Sequence, residues 1–256
     1  MTEFNTDEEQ IISLTNSLLT KGDLEVQAGN LDAAQSAYSR AKETSRLIGT
    51  DDNGGFAIAC DKLGDLAREA GRISVARDEY SQALPIFRKL AAQRPRYRRD
   101  LSLCLSKIGE LALSEGKVAF AKATLEEHFA LAKQIADTDP TETEHQRDFA
   151  GAHSRLQHLA GMTGNLNEAL RHAEACHEIM EKLVRIDPGN TSWVQDLAGS
   201  DCVFAMLLGQ AGDTKRAVSL LKGGYGTLRR LADAGKLDSK GRRLYKQLRE
   251  QLDALG

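Results

Sequence analysis

Apolar side chains recur at three- and four-residue steps along most of this chain, the spacing that gives a helix one buried face. Phe56, Ala59, Cys60, Leu63, Leu66 and Ala67 form one such stripe. Val75, Ala76, Tyr80, Ala83, Leu84, Phe87 and Leu90 form the next. Gly71 stands between them and ends the first helix, because glycine enters the left-handed conformation without a Cβ clash. Gly64 and Ala76 are small enough to let the two helices approach, while Tyr80 and Phe87 are expected to fill the space between units. Pro85 falls inside the second stripe, where a missing N–H predicts a kink.

The same plan repeats. Gly29, Gly71, Gly116, Gly164 and Gly212 are separated by 42, 45, 48 and 48 residues. Five residues after each stands an alanine: Ala34, Ala76, Ala121, Ala169 and Ala217. Seven residues before the first three stand Gly22, Gly64 and Gly109; the last two units carry Gln157 and Ala205 instead, which predicts slightly wider helix pairs. A fixed period in this range marks a repeat array. A second mark recurs every 48 residues at unit boundaries: Tyr97-Arg98-Arg99-Asp100-Leu101, His145-Gln146-Arg147-Asp148-Phe149 and Trp193-Val194-Gln195-Asp196-Leu197. Its aspartate suits the first turn of a helix, where it complements the dipole. Asp139-Pro140 and Asp187-Pro188-Gly189-Asn190 break the helices that precede two of these marks.

The ends fit an array. Thr6-Asp7-Glu8-Glu9 reads as a capping box opening the first helix, ahead of Ile11, Ile12, Leu14, Leu18 and Leu19. Asp238 or Ser239 can cap a final helix carrying Leu244, Tyr245, Leu248, Leu252 and Leu255, with Arg242, Arg243, Lys246 and Arg249 toward its other side. Gly223, Gly224 and Gly226 weaken the helix before it and mark a kink or a close crossing.

The small-residue pattern resembles the tetratricopeptide repeat, a helix–turn–helix unit of about 34 residues. The boundary marks, with DPGN followed by WVQDLA and with YRRDLSLCLSKIGEL, resemble its long-repeat bacterial members over roughly residues 8 to 235. The resemblance implies an all-α, right-handed superhelical solenoid of antiparallel helix pairs. Five pairs are expected, at about 7–50, 51–94, 95–140, 141–188 and 189–235, after a flexible stretch at 1–6 and before a C-terminal capping helix at 236–256.

Composition narrows the function. Four prolines and a predominance of Leu, Ala, Glu, Lys, Arg and Gln argue against a sandwich or parallel sheet. The start is acidic, without the basic and apolar stretches of a secretion signal, and no apolar run approaches a membrane span; a cytoplasmic protein without membrane insertion is expected. Cys60, Cys104, Cys176 and Cys202 lie far apart and read as small buried thiols, with no disulfide or zinc pattern. Phosphate-loop, nucleophile-elbow and zinc-protease motifs are absent, so neither catalysis, nor a metal, nor any cofactor is expected. His153 and His158, like His172 and His177, stand five apart and point to different helix faces.

Charge is uneven beneath a net −3: residues 1–70 carry 13 acidic and 6 basic side chains, while residues 213–256 carry 11 basic and 5 acidic. That polarity can steer a basic partner segment or permit head-to-tail association, giving a monomer or a weak homo-oligomer. Arg94-Pro95-Arg96-Tyr97-Arg98-Arg99 is a basic cluster in an inter-repeat turn, too narrow in a net-acidic protein to predict nucleic-acid binding.

In tetratricopeptide arrays the first helix of each unit lines a concave groove in which partners lie. By that resemblance the groove is lined by Asp23, Asp61, Asp65, Arg68, Lys107, Glu110, Arg155, His158, Met162 and Met206. The lining runs from acidic to mixed to apolar. It lacks the lysine and asparagine cluster of the family's chaperone-tail clamp, since Lys62 and Lys107 have no asparagine companions. The function implied is a non-catalytic scaffold for a protein or peptide partner. The alternatives are a regulatory receptor that changes superhelical shape on binding a small peptide or signal molecule, and a self-assembling structural array.

Overall fold

The computed structural model describes residues 3–49 and 53–253, with side chains from Asp7 onward. Among the described residues there are eleven α-helices and no strand. They are α1 (Glu3–Gln27), α2 (Leu31–Ser45), α3 (Gly54–Glu69), α4 (Ile73–Gln93), α5 (Arg98–Ser114) and α6 (Val118–Thr138), then α7 (Thr143–Met162), α8 (Leu166–Ile186), α9 (Thr191–Gln210), α10 (Thr214–Asp233) and α11 (Ser239–Asp253). Single 3₁₀ turns, Arg46–Ile48 and Pro95–Tyr97, follow α2 and α4. None of these helices is long and apolar enough to cross a membrane. The chain divides into two compact units, 1–131 and 132–256, with the division inside α6.

In the first unit α1 packs on α2 and α3 on α4, while α2 meets α3 and α4 meets α5. Phe56, Tyr80, Phe87, Leu90, Cys104 and Leu105 share one core, and Leu18, Leu19, Tyr38 and Leu66 share another. In the second unit α7 packs on α8, α9 on α10, and α11 on α10 and α9. Its main core gathers Phe204, Leu207, Leu221, Leu228 and Leu248, so α11 closes this end with its apolar side. Trp193, the ring of a boundary mark, is buried with Cys176, Met180 and Leu183.

The spaced glycines end the first helix of each pair. Gly29, Gly71, Gly116, Gly164 and Gly212 have φ between 71° and 87°. After each, the next residue's N–H reaches back to the carbonyl five residues earlier, as from Arg72 to Ala67 at 2.8 Å. That pair of features is a Schellman cap, and it turns the chain back in three residues. The second helix is then started by a side chain in two units: Asn165 caps α8 and Asp213 caps α10. The alanines five residues past each glycine are all buried.

Gly22 and Gly64 are notches. A Cβ at either would overlap the ring sixteen residues on, Tyr38 or Tyr80. At Gly109 the notch holds Leu125. Where the glycine is replaced, by Gln157 or Ala205, the residue sixteen on is Ala173 or Leu221, and all four are buried. At Gln157 and Ala173 the larger side chain is on the first helix instead of the second.

Four local expectations change. The first helix begins at Glu3, so Thr6 lies inside α1 rather than capping it. Helix α4 runs through Pro85 without a break. Ser81, whose carbonyl loses its N–H partner there, is exposed, as is Pro85, so water can take the bond. Tyr80 fills space inside its own helix pair as well as meeting the next. Helix α10 is continuous, and Gly224 marks a close crossing, since a Cβ there would meet the Ala198 Cα at 3.7 Å. Of the final helix's expected apolar residues, Leu255 lies outside the described residues; Asp238 is its cap, accepting from Gly241 N–H at 2.7 Å.

Candidate functional site

In the first unit, the expected groove residues form a ladder of charge pairs across α1, α3 and α5. Asp23 follows Gly22 and accepts from the Tyr38 hydroxyl at 2.7 Å and from Lys62 Nζ at 2.7 Å. Asp65 follows Gly64 and accepts from the Tyr80 hydroxyl at 2.7 Å and from Lys107 Nζ at 2.7 Å. Lys107 also donates to Asp61 at 2.6 Å and lies 5.6 Å from the Tyr80 ring centroid. Arg68 faces Glu110 at 3.8 Å. Burial and the adjacent carboxylate hold both tyrosine hydroxyls protonated far above the ordinary phenol range, so each keeps the proton it donates to its aspartate.

Two carboxylates share one ammonium here, and the balance shows in their acidity. Burial works against charge on Lys107, but Asp61 and Asp65 outweigh it and hold its pKa above the ordinary lysine value. Burial pushes the Asp61 carboxyl up, and Asp65 adds to this against the pull of Lys107. Asp61 Oδ1 is buried without a hydrogen-bond partner. Asp100, in the first turn of α5, is likewise pushed up, by burial and then by Asp61, and has no ion-pair partner among the described residues. The ladder therefore carries an excess of half-buried carboxylate at α3 and α5.

The remaining expected residues belong to the second unit. Arg155, His158 and Met162 share a stripe of α7, and Met206 lies on α9. Arg155 donates to the Gly151 carbonyl at 3.3 Å; His158 is exposed, and Met162 and Met206 are each 51% exposed. These four do not form a charge ladder like that of the first unit. A different one runs beside them: Arg147 binds Asp196 at 2.6 Å and Ser192 at 3.0 Å, and Lys240 reaches Asp196 at 2.9 Å. Arg147 and Asp196 lie in the boundary marks, so the periodic aspartate could have pointed to this pair.

The histidines find partners the sequence does not signal. His153 and His172 meet Nδ1 to Nδ1 at 2.9 Å, His177 meets buried Asp201 at 2.6 Å, and buried His128 meets Ser102 at 2.9 Å. Lys42, also buried, pairs with Glu79 at 2.6 Å. Among the described residues no group of three or more His, Cys, Asp or Glu side chains is arranged to hold a metal ion. All four cysteines are buried and unpaired.

No protein-family model matches the chain, and no curated protein matches it in sequence. Solved structures do match in shape. BtubC from P. vanneervenii is 15% identical and superposes with a TM-score of 0.65 over 93% of this chain and 95% of that one. A Rap protein complexed with Competence and Sporulation Factor is 16% identical, with a TM-score of 0.64 over 93% of this chain and 63% of that one. Kinesin-light-chain TPR-like repeats from Podospora anserina are 17% identical, with a TM-score of 0.57 over 84% of this chain and 95% of that one. Such identities speak for the fold alone, which also has the paired helices and glycine caps described above. This chain has the fold of the tetratricopeptide-type repeat proteins.

Proposed function

We propose that this chain is a non-catalytic protein-interaction scaffold that holds a partner segment along the first helices of its pairs. The observation that carries the proposal is the unmet carboxylate of the first unit. Asp61 Oδ1 lacks a donor, its Lys107 is shared with Asp65, and Asp100 has no ion-pair partner among the described residues, while burial pushes both carboxyls up. A lysine or arginine from a partner would supply the missing charge, so the partner segment is basic where it meets α3 and α5. Exposed Met162 and Met206 offer adaptable apolar contacts in the second unit. The four unpaired thiols fit a reducing compartment such as the cytoplasm.

The test is affinity capture from the native cell, with partners identified by mass spectrometry. Asp61→Lys/Asp65→Lys should lose the partners that the parent retains, and Arg155→Glu should lose at least some. Retention of every partner by both variants, alongside loss on a charge reversal elsewhere on the surface, would sink the groove assignment.

A second reading draws on the Rap protein of like fold complexed with Competence and Sporulation Factor. Here the array is a receptor that changes shape on binding a small peptide or signal molecule. Thermal stabilisation by a dialysable fraction of cell extract would favour the receptor, and stabilisation by a macromolecular fraction alone would favour the scaffold.

A further inference from the structure

A cavity of about 770 Å³ opens in the first unit between α1, the turn after α2, the start of α3 and the turn after α4. Its wall has the donors of an anion site. Gly54 and Gly55 open the 16-residue α3, and Asn53 caps the helix by accepting from Phe56 N–H at 3.0 Å. The N–H groups of the two glycines have no acceptor among the described residues. They sit at the positive end of the helix, where a Cβ would overlap the Tyr97 hydroxyl at Gly54 and the Thr15 methyl at Gly55, so only glycine leaves room beside their N–H groups.

Arg94 and Arg96, both exposed, line the same cavity, and neither meets a carboxylate among the described residues. Arg96 is steadied by Tyr97, with its guanidinium 4.9 Å from the ring centroid and 3.3 Å from the hydroxyl. Independent of these cationic groups is Thr15. It is 2% exposed and lines the cavity, and its hydroxyl has no hydrogen-bond partner. A buried hydroxyl without a partner is rare in folded proteins, which makes it a mark of something that completes the site.

We infer that this cavity binds a small organic phosphate. Its oxygens take the Gly54 and Gly55 N–H groups and the two guanidiniums, and the Thr15 hydroxyl completes the set. Donors from two glycines, two arginines and a hydroxyl exceed what a carboxylate's two oxygens can use, whereas a phosphate presents three. Ile12, Ile48 and Ile58 line the cavity as well and favour a ligand with an apolar body. Glu8 is the one carboxylate among the described lining residues, and it opposes the anion. None of this rests on the scaffold reading, which uses other side chains.

The test titrates phenyl phosphate into the intact ¹⁵N-labelled chain, with inorganic phosphate and sodium chloride at matched ionic strength as comparison arms. The Gly54 and Gly55 amide resonances should shift saturably, and phenyl phosphate should bind about fivefold more tightly than inorganic phosphate. Arg94→Gln/Arg96→Gln, both exposed positions, should weaken binding about tenfold or more. Glu8→Gln should tighten it. Thr15→Val should weaken binding while raising the melting temperature of the free protein, because the unmet hydroxyl is gone; a merely structural threonine would move the melting temperature and leave affinity unchanged. Unmoved glycine amides, an equal response to chloride, inorganic phosphate bound as tightly as phenyl phosphate, or undiminished affinity in the arginine or threonine variant would each overturn the inference.

Discussion

The Tyr80 hydroxyl donates a 2.7 Å hydrogen bond to Asp65 while its ring fills the space a Cβ would need at Gly64. Tyr38 stands in the same relation to Asp23 and Gly22, 42 residues earlier. A Gly-Asp dipeptide thus admits the ring and accepts its hydroxyl's hydrogen bond, which ties the packing of one helix pair to the polar ladder that links pairs. Asp65 completes the link by accepting Lys107 from α5. In the third pair Leu125 fills the notch at Gly109 and has no hydroxyl to give, and Glu110 turns to Arg68 instead.

The notch makes a local prediction. Gly64→Ala should cost about 1–3 kcal/mol, because the added methyl must displace a fully buried tyrosine. Gly161→Ala is the control: this exposed helical position has nothing within 4 Å of an added Cβ. It should gain up to about 1 kcal/mol from helix propensity alone. Thermal melts followed by helical circular dichroism compare the two. Similar shifts in both variants would mean that Tyr80 moves aside freely and that the notch is not specific.

Lys107 is shared by two carboxylates, so its removal should be felt more than the loss of an ordinary surface pair. Lys107→Met keeps the apolar stem but leaves Asp61 and Asp65 without their shared cation, at a cost of about 3 kcal/mol near neutral pH. The pH dependence has a fixed sign. A carboxyl whose folded pKa lies above its unfolded value of 3.8 loses stability as pH rises from that value through the folded pKa. The defect in Lys107→Met should therefore shrink on acidification, as Asp61 takes up a proton. A defect that grew between pH 7 and pH 5 would contradict this account of the ladder.

The parts of the fold that were legible in the sequence are local. A glycine at positive φ, an alanine five residues on and an Asn or Asp cap act within one turn, so Gly71 and Ala76 disclose the hairpin they build. The partners of the charged residues are not local. Lys107 meets Asp61 from 46 positions away and Arg147 meets Asp196 from 49, distances set by how successive pairs stack. The groove lining expected from the resemblance starts acidic; the structure places Lys62, Lys107 and Arg68 against Asp23, Asp61, Asp65 and Glu110, and leaves a smaller excess at Asp61 and Asp100. The His153–His172 pair needs the facing of α7 and α8, which helical periodicity alone does not reveal.

The cysteines should behave as packing residues. Burial pushes the Cys60 thiol up to about 12, and burial raises Cys104, Cys176 and Cys202 as well. The thiolate is the reactive form, so the native protein should react with a disulfide reagent at pH 8 only as fast as it opens. All four thiols should titrate at once in denaturant. A fast native phase of one equivalent would identify an accessible thiol and contradict the buried assignment.

The second unit should lose stability on mild acidification, and His153 is the group responsible. Burial, then the charge of His172, pushes its pKa down to about 4, and burial lowers His172 too. Between pH 6.5 and about 4 the unfolded chain binds protons that the folded His153 refuses, so stability falls as pH drops through that window, on the order of 2 kcal/mol. His177 has the opposite sign. Its hydrogen bond to Asp201 outweighs burial and raises its pKa, so its contribution is fully present below 6.5 and is lost as pH rises through the folded pKa. Trp193, the only tryptophan in the chain, is buried in this unit and reports its unfolding by fluorescence. Urea midpoints measured from pH 8 to pH 4.5 should show His153→Gln flattening the acid limb and His177→Gln flattening the limb above pH 6.5. If His153→Gln kept the acid limb of the parent, the proton uptake would have to lie elsewhere, and the close approach of the two imidazoles would carry no linkage.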